Sequence, residues 1–444
     1  MSNGGEQLHD LDAWLGPFLA VMGRKTRRTW APLYLRGLLG PGDRKSLQPM
    51  AVRLGLSGHD QLQHFIASSA WDDGPLWSEL ARQADLLVGG PEAYLVIDDT
   101  ALPKKGMLSV GVARQYCGAL GKKASCQSLV SLTLAQGEVP VPVALRLFLP
   151  EAWTINPQRC AQAGVPEAAR MPRAKGEIAL SELDRLRASG VRFGTVLADA
   201  GYGISAAFRH ALEARGLRWA VGIVKNQKVY APDVQLVAPT GRARKPMPDQ
   251  EPREAEAMLA DLPWRRVTWR QGTKNKLSAR FSALRVRVAD GPVFGNNRHL
   301  PGKEVWLVGE WRSSGERKYY LSNLPARVTR RALVGAIKAR WVCEQAHQQL
   351  KEELGLDHFE GRSWTGLHRH ALMTCIAFAF LQHLRLRLAK QPLRERKKKD
   401  AQPSRTAALA KSARRAAGHY RADLCLPHPS RPMSSLPKTL QAAA

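Results

Sequence analysis

Asp98, Asp199 and Glu344 are the residues whose types and settings point to chemistry. Tyr94 to Ile97 is a short apolar run that leads into Asp98-Asp99-Thr100, and Val196-Leu-Ala runs into Asp199-Ala-Gly-Tyr-Gly203. Glu344 lies in Arg340-x3-Glu344-x6-Lys351, where helical spacing gathers Arg340, Glu344, Gln348 and Lys351 on one face beside Leu333, Ile337 and Trp341. Phosphodiester cleavage and transfer are served by two divalent ions about 3.5 to 4 Å apart. Mg2+ takes carboxylate oxygens and water, so a few convergent acids suffice to hold it. Period-2 alternation turns Asp98 and Asp99 to opposite faces of a strand, and Asp98 is taken as the ligand. Each acid also has a plain reading. Asp98 fits an Asp-Thr turn, strand-Asp-x-Gly occurs in phosphatases and nucleotide-binding proteins, and Arg340/Glu344 fits a surface pair worth a few tenths of a kcal/mol.

The surroundings of these acids are strongly basic. Lys and Arg total 67 against 38 Asp and Glu in 444 residues, a formal charge of +29. An ordinary metabolic enzyme has no use for such a surplus, whereas a polyanion is attracted by it. Nucleic acid is favoured over a membrane, because the cations are spread from Arg24 to Lys438 and no apolar run reaches the roughly 18 residues of a spanning helix. Ala371 to Leu381 is expected to be a buried core helix. Met1 to Leu15 carries Glu6, Asp10 and Asp12 and lacks a signal pattern, which points to the cytoplasm and the nucleoid. Cys117, Cys126, Cys160, Cys343, Cys375 and Cys425 show no C-x2-C spacing, so neither disulfides nor structural zinc are expected.

The elements that must position the acids divide the chain into five parts. Residues 1–90 have helical spacing and a basic cluster, Arg24, Lys25, Arg27 and Arg28, suited to phosphate contact. Residues 91–225 give the order β-β-β-α-β-α-β, with a hairpin turn at Gln136-Gly137, a helix from Lys175 to Ala188 and strands that stop at Asp98 and Asp199. This is a ribonuclease H-like α/β order, a mixed sheet in which strand ends converge on one site. Residues 226–327 are a β-rich insertion. Residues 328–390 return to helices, one from Thr329 to about Leu354 carrying the third acid, and 391–444 form a basic tail expected to be disordered away from DNA. Lys104, Lys105, Arg114, Lys122 and Lys123 are expected near the cleft. Trp264, Trp269, Trp306 and Trp311 suit core packing or stacking on an unpaired base. His347, His358, His368 and His370 have no zinc-ligand spacing.

Taken together, Ile97-Asp98-Asp99-Thr100, Asp199-Ala-Gly-Tyr202 and Arg340-x3-Glu344-x6-Lys351 resemble the acidic signatures of bacterial insertion-sequence transposases of the DDE superfamily. The resemblance is greatest to family 701, a relative of the family 4 group. Pro103-Lys104-Lys105-Gly106, Ser109 to Tyr116 and His358-Phe359-Glu360-Gly361-Arg362 carry it further, over roughly residues 10 to 385. The resemblance implies an RNase H-like core and cut-and-paste transposition at inverted terminal repeats. It also implies two Mg2+ ions, with Mn2+ as substitute, on Asp98, Asp199 and Glu344, and DNA-phosphate contact by Arg340 and Lys351. Ile337 stands where the family 4 signature has Tyr, so the contact of that Tyr is not carried over. Double-stranded DNA, as transposon ends and target, and a homodimer on DNA are the expected partners. Three rivals remain on the sequence alone: a catalytically silent DNA-binding descendant, an RNase H-fold nuclease that cuts without joining, and an RNA-binding module, for which no RNP-like strand is present.

Overall fold

Apolar alternation and glycine-marked turns set the strands at the centre of the chain. The computed structural model describes residues 3–238, 246–272, 275–294 and 298–390, so the basic tail at 391–444 lies outside the described residues. β1 (Tyr94–Pro103), β2 (Ala113–Cys117), β3 (Lys122–Gln136) and β4 (Val139–Phe148) come first. Gly137, at φ 59°, closes the β3–β4 hairpin as the sequence indicates. β5 (Thr195–Ala198) and β6 (Trp219–Ile223) follow after helical crossovers. β1 pairs antiparallel with β3 and parallel with β5, and β5 pairs parallel with β6. The spatial order β4-β3-β1-β5-β6 is the ribonuclease H-like arrangement.

The insertion extends this sheet. β7 (Lys228–Tyr230), β8 (Arg253–Glu254), β9 (Arg265–Gln271), β10 (Lys276–Val288), β11 (Glu304–Trp311) and β12 (Arg317–Ser322) join it through β12, which pairs antiparallel with β6. The result is one sheet of twelve strands. The insertion's tryptophans are half-buried and serve packing. Trp264 meets Trp311 edge-on at 5.9 Å, Trp269 meets Phe281 edge-on, and Arg285 lies over Trp306.

Helices α1 (Asn3–Ala20), α2 (Lys25–Leu39), α3 (Leu47–Arg53), α4 (Asp60–Gln63) and α5 (Gly74–Val88) occupy the N-terminal part. α6 (Glu151–Thr154), α7 (Pro157–Gln162), α8 (Lys175–Ala188), α9 (Ala200–Gly203) and α10 (Ala206–Ala214) belong to the core, and α11 (Ala255–Leu259) to the insertion. The last are α12 (Arg330–Ala339), α13 (Trp341–Glu352) and α14 (Trp364–Lys390).

α14 is the core helix foreseen at Ala371 to Leu381. It is long and apolar enough to cross a membrane by composition, yet every residue from Gly366 to Gln382 is buried inside the protein. Leu11, Phe18, Tyr34 and Trp77 from the N-terminal helices share its core. Its two buried histidines, His368 and His370, are satisfied structural groups: His370 accepts from Tyr34 Oη at 2.8 Å and donates to the Gly355 carbonyl at 3.0 Å.

Two expectations are corrected. Asp98 does not end its strand, because β1 runs on to Pro103 against β3. The helix expected over Thr329 to Leu354 is two helices that meet at Arg340, with Thr329 capping the first by accepting from Ala332 N.

Candidate active site

The register of two parallel strands brings the first two acids together. Ile97 is the partner of Ala198, so Asp98 and Asp199 follow side by side on chains about 5 Å apart. β5 stops there because Asp199 caps α9, accepting from Tyr202 N at 3.3 Å. The glycine that ends α9 is sterically required: a Cβ on Gly203 would lie 2.0 Å from the Gly222 carbonyl of β6. Alternation then sorts the two neighbouring aspartates. Asp98 shares its face with Val96, against Val342 and Cys343 of α13. Asp99 turns to the opposite face, where it is held by Lys175 of α8 and by the Tyr202 hydroxyl.

Asp98 is 9% exposed. Its Oδ1 accepts from Asp99 N at 2.8 Å, and its Oδ2 accepts from Arg340 Nη1 at 2.5 Å and from Cys343 Sγ at 3.2 Å. Burial raises its pKa, against the opposing charge of Arg340. Asp199 is raised first by burial and then by the charge of Asp98. Both carboxylates therefore sit where added positive charge is welcome. Arg340 supplies part of it. Burial works against its charge, but Asp98, Cys343, Glu344 and Asp199 raise its pKa overall.

Through its second nitrogen Arg340 also holds Glu344, whose side chain is 58% exposed. Asp98 and Glu344 are thus bridged by one guanidinium, and Asp199 feels its charge without bonding it. Among the described residues no three His, Cys, Asp or Glu side chains stand at metal-binding spacing. The donor chemistry nonetheless fits a hard divalent cation: a buried carboxylate, Asp98, and a half-buried one, Asp199, lie side by side, and Glu344 is one guanidinium away from Asp98.

Asp199, Arg340 and Glu344 line a cleft of about 780 Å³ whose far wall comes from the insertion. Arg312, Arg317 and Lys318 of that wall, with Lys225 just after β6 and Lys338 of α12, complete the cationic lining, cations not foreseen from the sequence. Arg312 and Arg317-Lys318 flank Ser313-Ser-Gly315, a basic hairpin tip that was legible, but its approach to the acids depends on β12 joining β6. The wall is braced by Glu310, 1% exposed, which takes Lys338 at 2.7 Å, Arg312 at 3.1 Å and Tyr320 Oη at 2.7 Å.

The other expected contacts lie elsewhere. Lys104 is turned to the Phe359 carbonyl at 2.6 Å, and neither it nor Lys105, Arg114, Lys122 or Lys123 lines the cleft. Their β-strands carry them past the acids, because β1 continues beyond Asp98. Lys351 lies near the end of α13, outside the cleft lining. Arg24, Lys25 and Arg28 are exposed at the start of α2, while Arg27 is spent on the Ala70 carbonyl. A second cavity, about 700 Å³ between Tyr34, Lys45, Trp153 and Phe359, contains none of the three acids.

An RNase H-like sheet with Asp98 on one central parallel strand and Asp199 at the end of the next, Asp199 lining a cationic cleft and Asp98 lying behind Arg340 outside its lining, defines a carboxylate-centred class of protein. The chain matches the DDE superfamily endonuclease family over residues 17–276 and the transposase DDE domain over residues 173–380. It belongs to the DDE superfamily of endonucleases. The first match contains Asp98 and Asp199, and the second contains Asp199 and Glu344. A curated relative, the probable transposase for insertion sequence element IS701 of Microchaete diplosiphon, is 30% identical over 194 residues, 44% of this chain and 48% of the relative. That alignment spans about half of the relative's length. Among solved structures, a piggyBac transposase synaptic complex with hairpin DNA aligns with 96% of this chain and 80% of its own, at 10% identity and a TM-score of 0.41.

Proposed function

We propose that the protein is a transposase that cuts DNA at the inverted terminal repeats of an insertion sequence and joins the freed end to target DNA. The reading rests above all on Asp98 of β1 and Asp199 at the end of β5 standing side by side, with Glu344 linked to Asp98 through Arg340. Membership of the DDE superfamily and the charge of +29 support it.

Two Mg2+ ions on Asp98, Asp199 and Glu344, replaceable by Mn2+, would supply Lewis-acid charge at the reacting phosphate. The chain's own residues do the rest. Asp98 and Asp199 are fixed by the sheet, so the donor oxygens need little reorganisation. Lys225, Arg312, Arg317, Lys318 and Lys338 neutralise the phosphates of a strand laid along the cleft and hold it in line. Arg340, released from Glu344, turns to the phosphate, and Lys351 and the exposed Arg24, Lys25 and Arg28 take flanking DNA. Pairing of two ends calls for a homodimer on DNA, acting in the cytoplasm on the nucleoid.

Joining separates this reading from a nuclease that only cuts. A duplex of the element's end, pre-cut to a free 3′-hydroxyl, is incubated with supercoiled plasmid and Mg2+. Plasmid carrying the end covalently attached is the expected product. Cut plasmid without attachment would leave cleavage alone.

A further inference from the structure

β3 is longer than the strands that flank it, and the surplus forms a two-stranded ribbon. β1 pairs with β3 only from Cys126 onward and β4 only from Ser128 onward. Lys122 to Ala124 therefore pair with β2 alone, while Ser125 also accepts from Lys104 N; the register sets Cys117 opposite Lys122, Tyr116 opposite Lys123 and Arg114 opposite Ser125. The tip is a tight turn, Gly118–Leu120, followed by Gly121 at φ 62°.

The chemistry of the ribbon is one-sided. No Asp or Glu occurs between Asp99 and Glu138, a stretch that holds Lys104, Lys105, Arg114, Lys122 and Lys123. Arg114, Lys122 and Lys123 are exposed, and among the described residues none of them is in an ion pair. Tyr116 is 67% exposed and shares the outer face with Arg114 and Lys123. Cations left without internal partners beside an exposed aromatic have no folding role.

We propose that this ribbon enters the major groove of the duplex held in the cleft, with Arg114, Lys122 and Lys123 on phosphates and Tyr116 against base edges. The proposal rests on the reading of the cleft as a DNA site. Shape permits it: five-residue strands are about 17 Å long and about 5 Å apart, and the groove, about 12 Å wide, admits a two-stranded ribbon. Position permits it as well. Asp98 is opposite Ser131, and the ribbon begins at Cys126, about 17 Å along β3, or about five base pairs from the reacting phosphate. A second copy of the chain is the other candidate for the open edge of β2, but clustered like charges on an edge oppose strand pairing between copies.

The test measures affinity of the full chain for a mixed-sequence duplex as salt is raised, comparing native protein with the triple variant Arg114→Ala, Lys122→Ala, Lys123→Ala. Loss of three phosphate contacts lowers the slope of log K against log salt by about 2.7, so over a fourfold rise in salt the native chain loses about 40-fold more affinity than the variant. Tyr116→Ala is expected to weaken binding with the slope unchanged. An unchanged slope in a triple variant that melts like the native chain would overturn the proposal while leaving the cleft reading intact. So would a slope unchanged with dimerisation altered in sedimentation, which would give the ribbon to a second copy. Absence of any duplex binding by the native chain would overturn the cleft reading and the proposal together. Should the triple variant fail to fold, the exposed Lys123→Gln change alone is expected to lower the slope by about 0.9.

Discussion

Arg340 and Asp98 form a salt bridge at 2.5 Å across 242 residues of chain, and the same guanidinium holds Glu344. In this arrangement an internal cation links the first and third acids where the proposed metal ions would act. Removing it leaves the buried Asp98 and the half-buried Asp199 with less compensating charge, so Arg340→Gln is expected to cost about 2 to 4 kcal/mol of stability. Added Mg2+ should stabilise the variant more than the native protein, because the ion no longer competes with the guanidinium. Urea unfolding with and without Mg2+ measures both effects. Equal stabilisation of the two proteins would show that Arg340 does not compete with the ion.

Asp99 is assigned a structural task by Lys175 and Tyr202 on the far face of the sheet. Asp99→Asn should therefore cost about 1 kcal/mol of stability and leave the Mg2+ concentration for half-maximal cleavage unchanged. A large shift in that metal requirement would make Asp99 a ligand.

The buried histidines of α14, with His347 of α13, make the fold sensitive to acid. His368 donates from Nδ1 to the Trp364 carbonyl and accepts on Nε2 from Leu147 N, and His370 is likewise used at both nitrogens. Burial pulls each pKa down to about 4. The unfolded chain, with histidines near 6.5, then binds more protons between pH 6.5 and 4, so stability is full above 6.5 and falls as pH drops toward 4. The loss is up to about 3 kcal/mol per histidine. Urea midpoints across this window should fall with pH, and less steeply in His370→Gln. A flat profile would contradict the assignment.

Much of this architecture is legible in the amino-acid sequence. The hairpin at Gly137, the α8 limits, the strand into Asp199 and the four longer strands of the insertion followed from alternation, glycines and capping residues, all local signals, whereas the short β7 and β8 did not. What escaped depended on partners far away in sequence. β1 runs past Asp98 because β3 supplies hydrogen bonds as far as Pro103. The break between α12 and α13 falls at a residue with no breaker chemistry, where Arg340 is tied to β1. The cationic far wall exists because β12 joins β6, a pairing without a local signal. The alternation that separates Asp98 from Asp99, in contrast, was readable and matches their partners.

The measurement that bears most directly on the central claim is cleavage of labelled DNA carrying the element's own ends, in Mg2+ or Mn2+, by the native chain and by Asp98→Asn, Asp199→Asn and Glu344→Gln. The native protein is expected to cut only with divalent metal, and each change is expected to reduce cutting by at least about 100-fold while DNA binding persists. Cleavage that survives these changes would contradict the assignment of the three acids, and binding without cleavage by the native chain would make it a catalytically silent member of the superfamily.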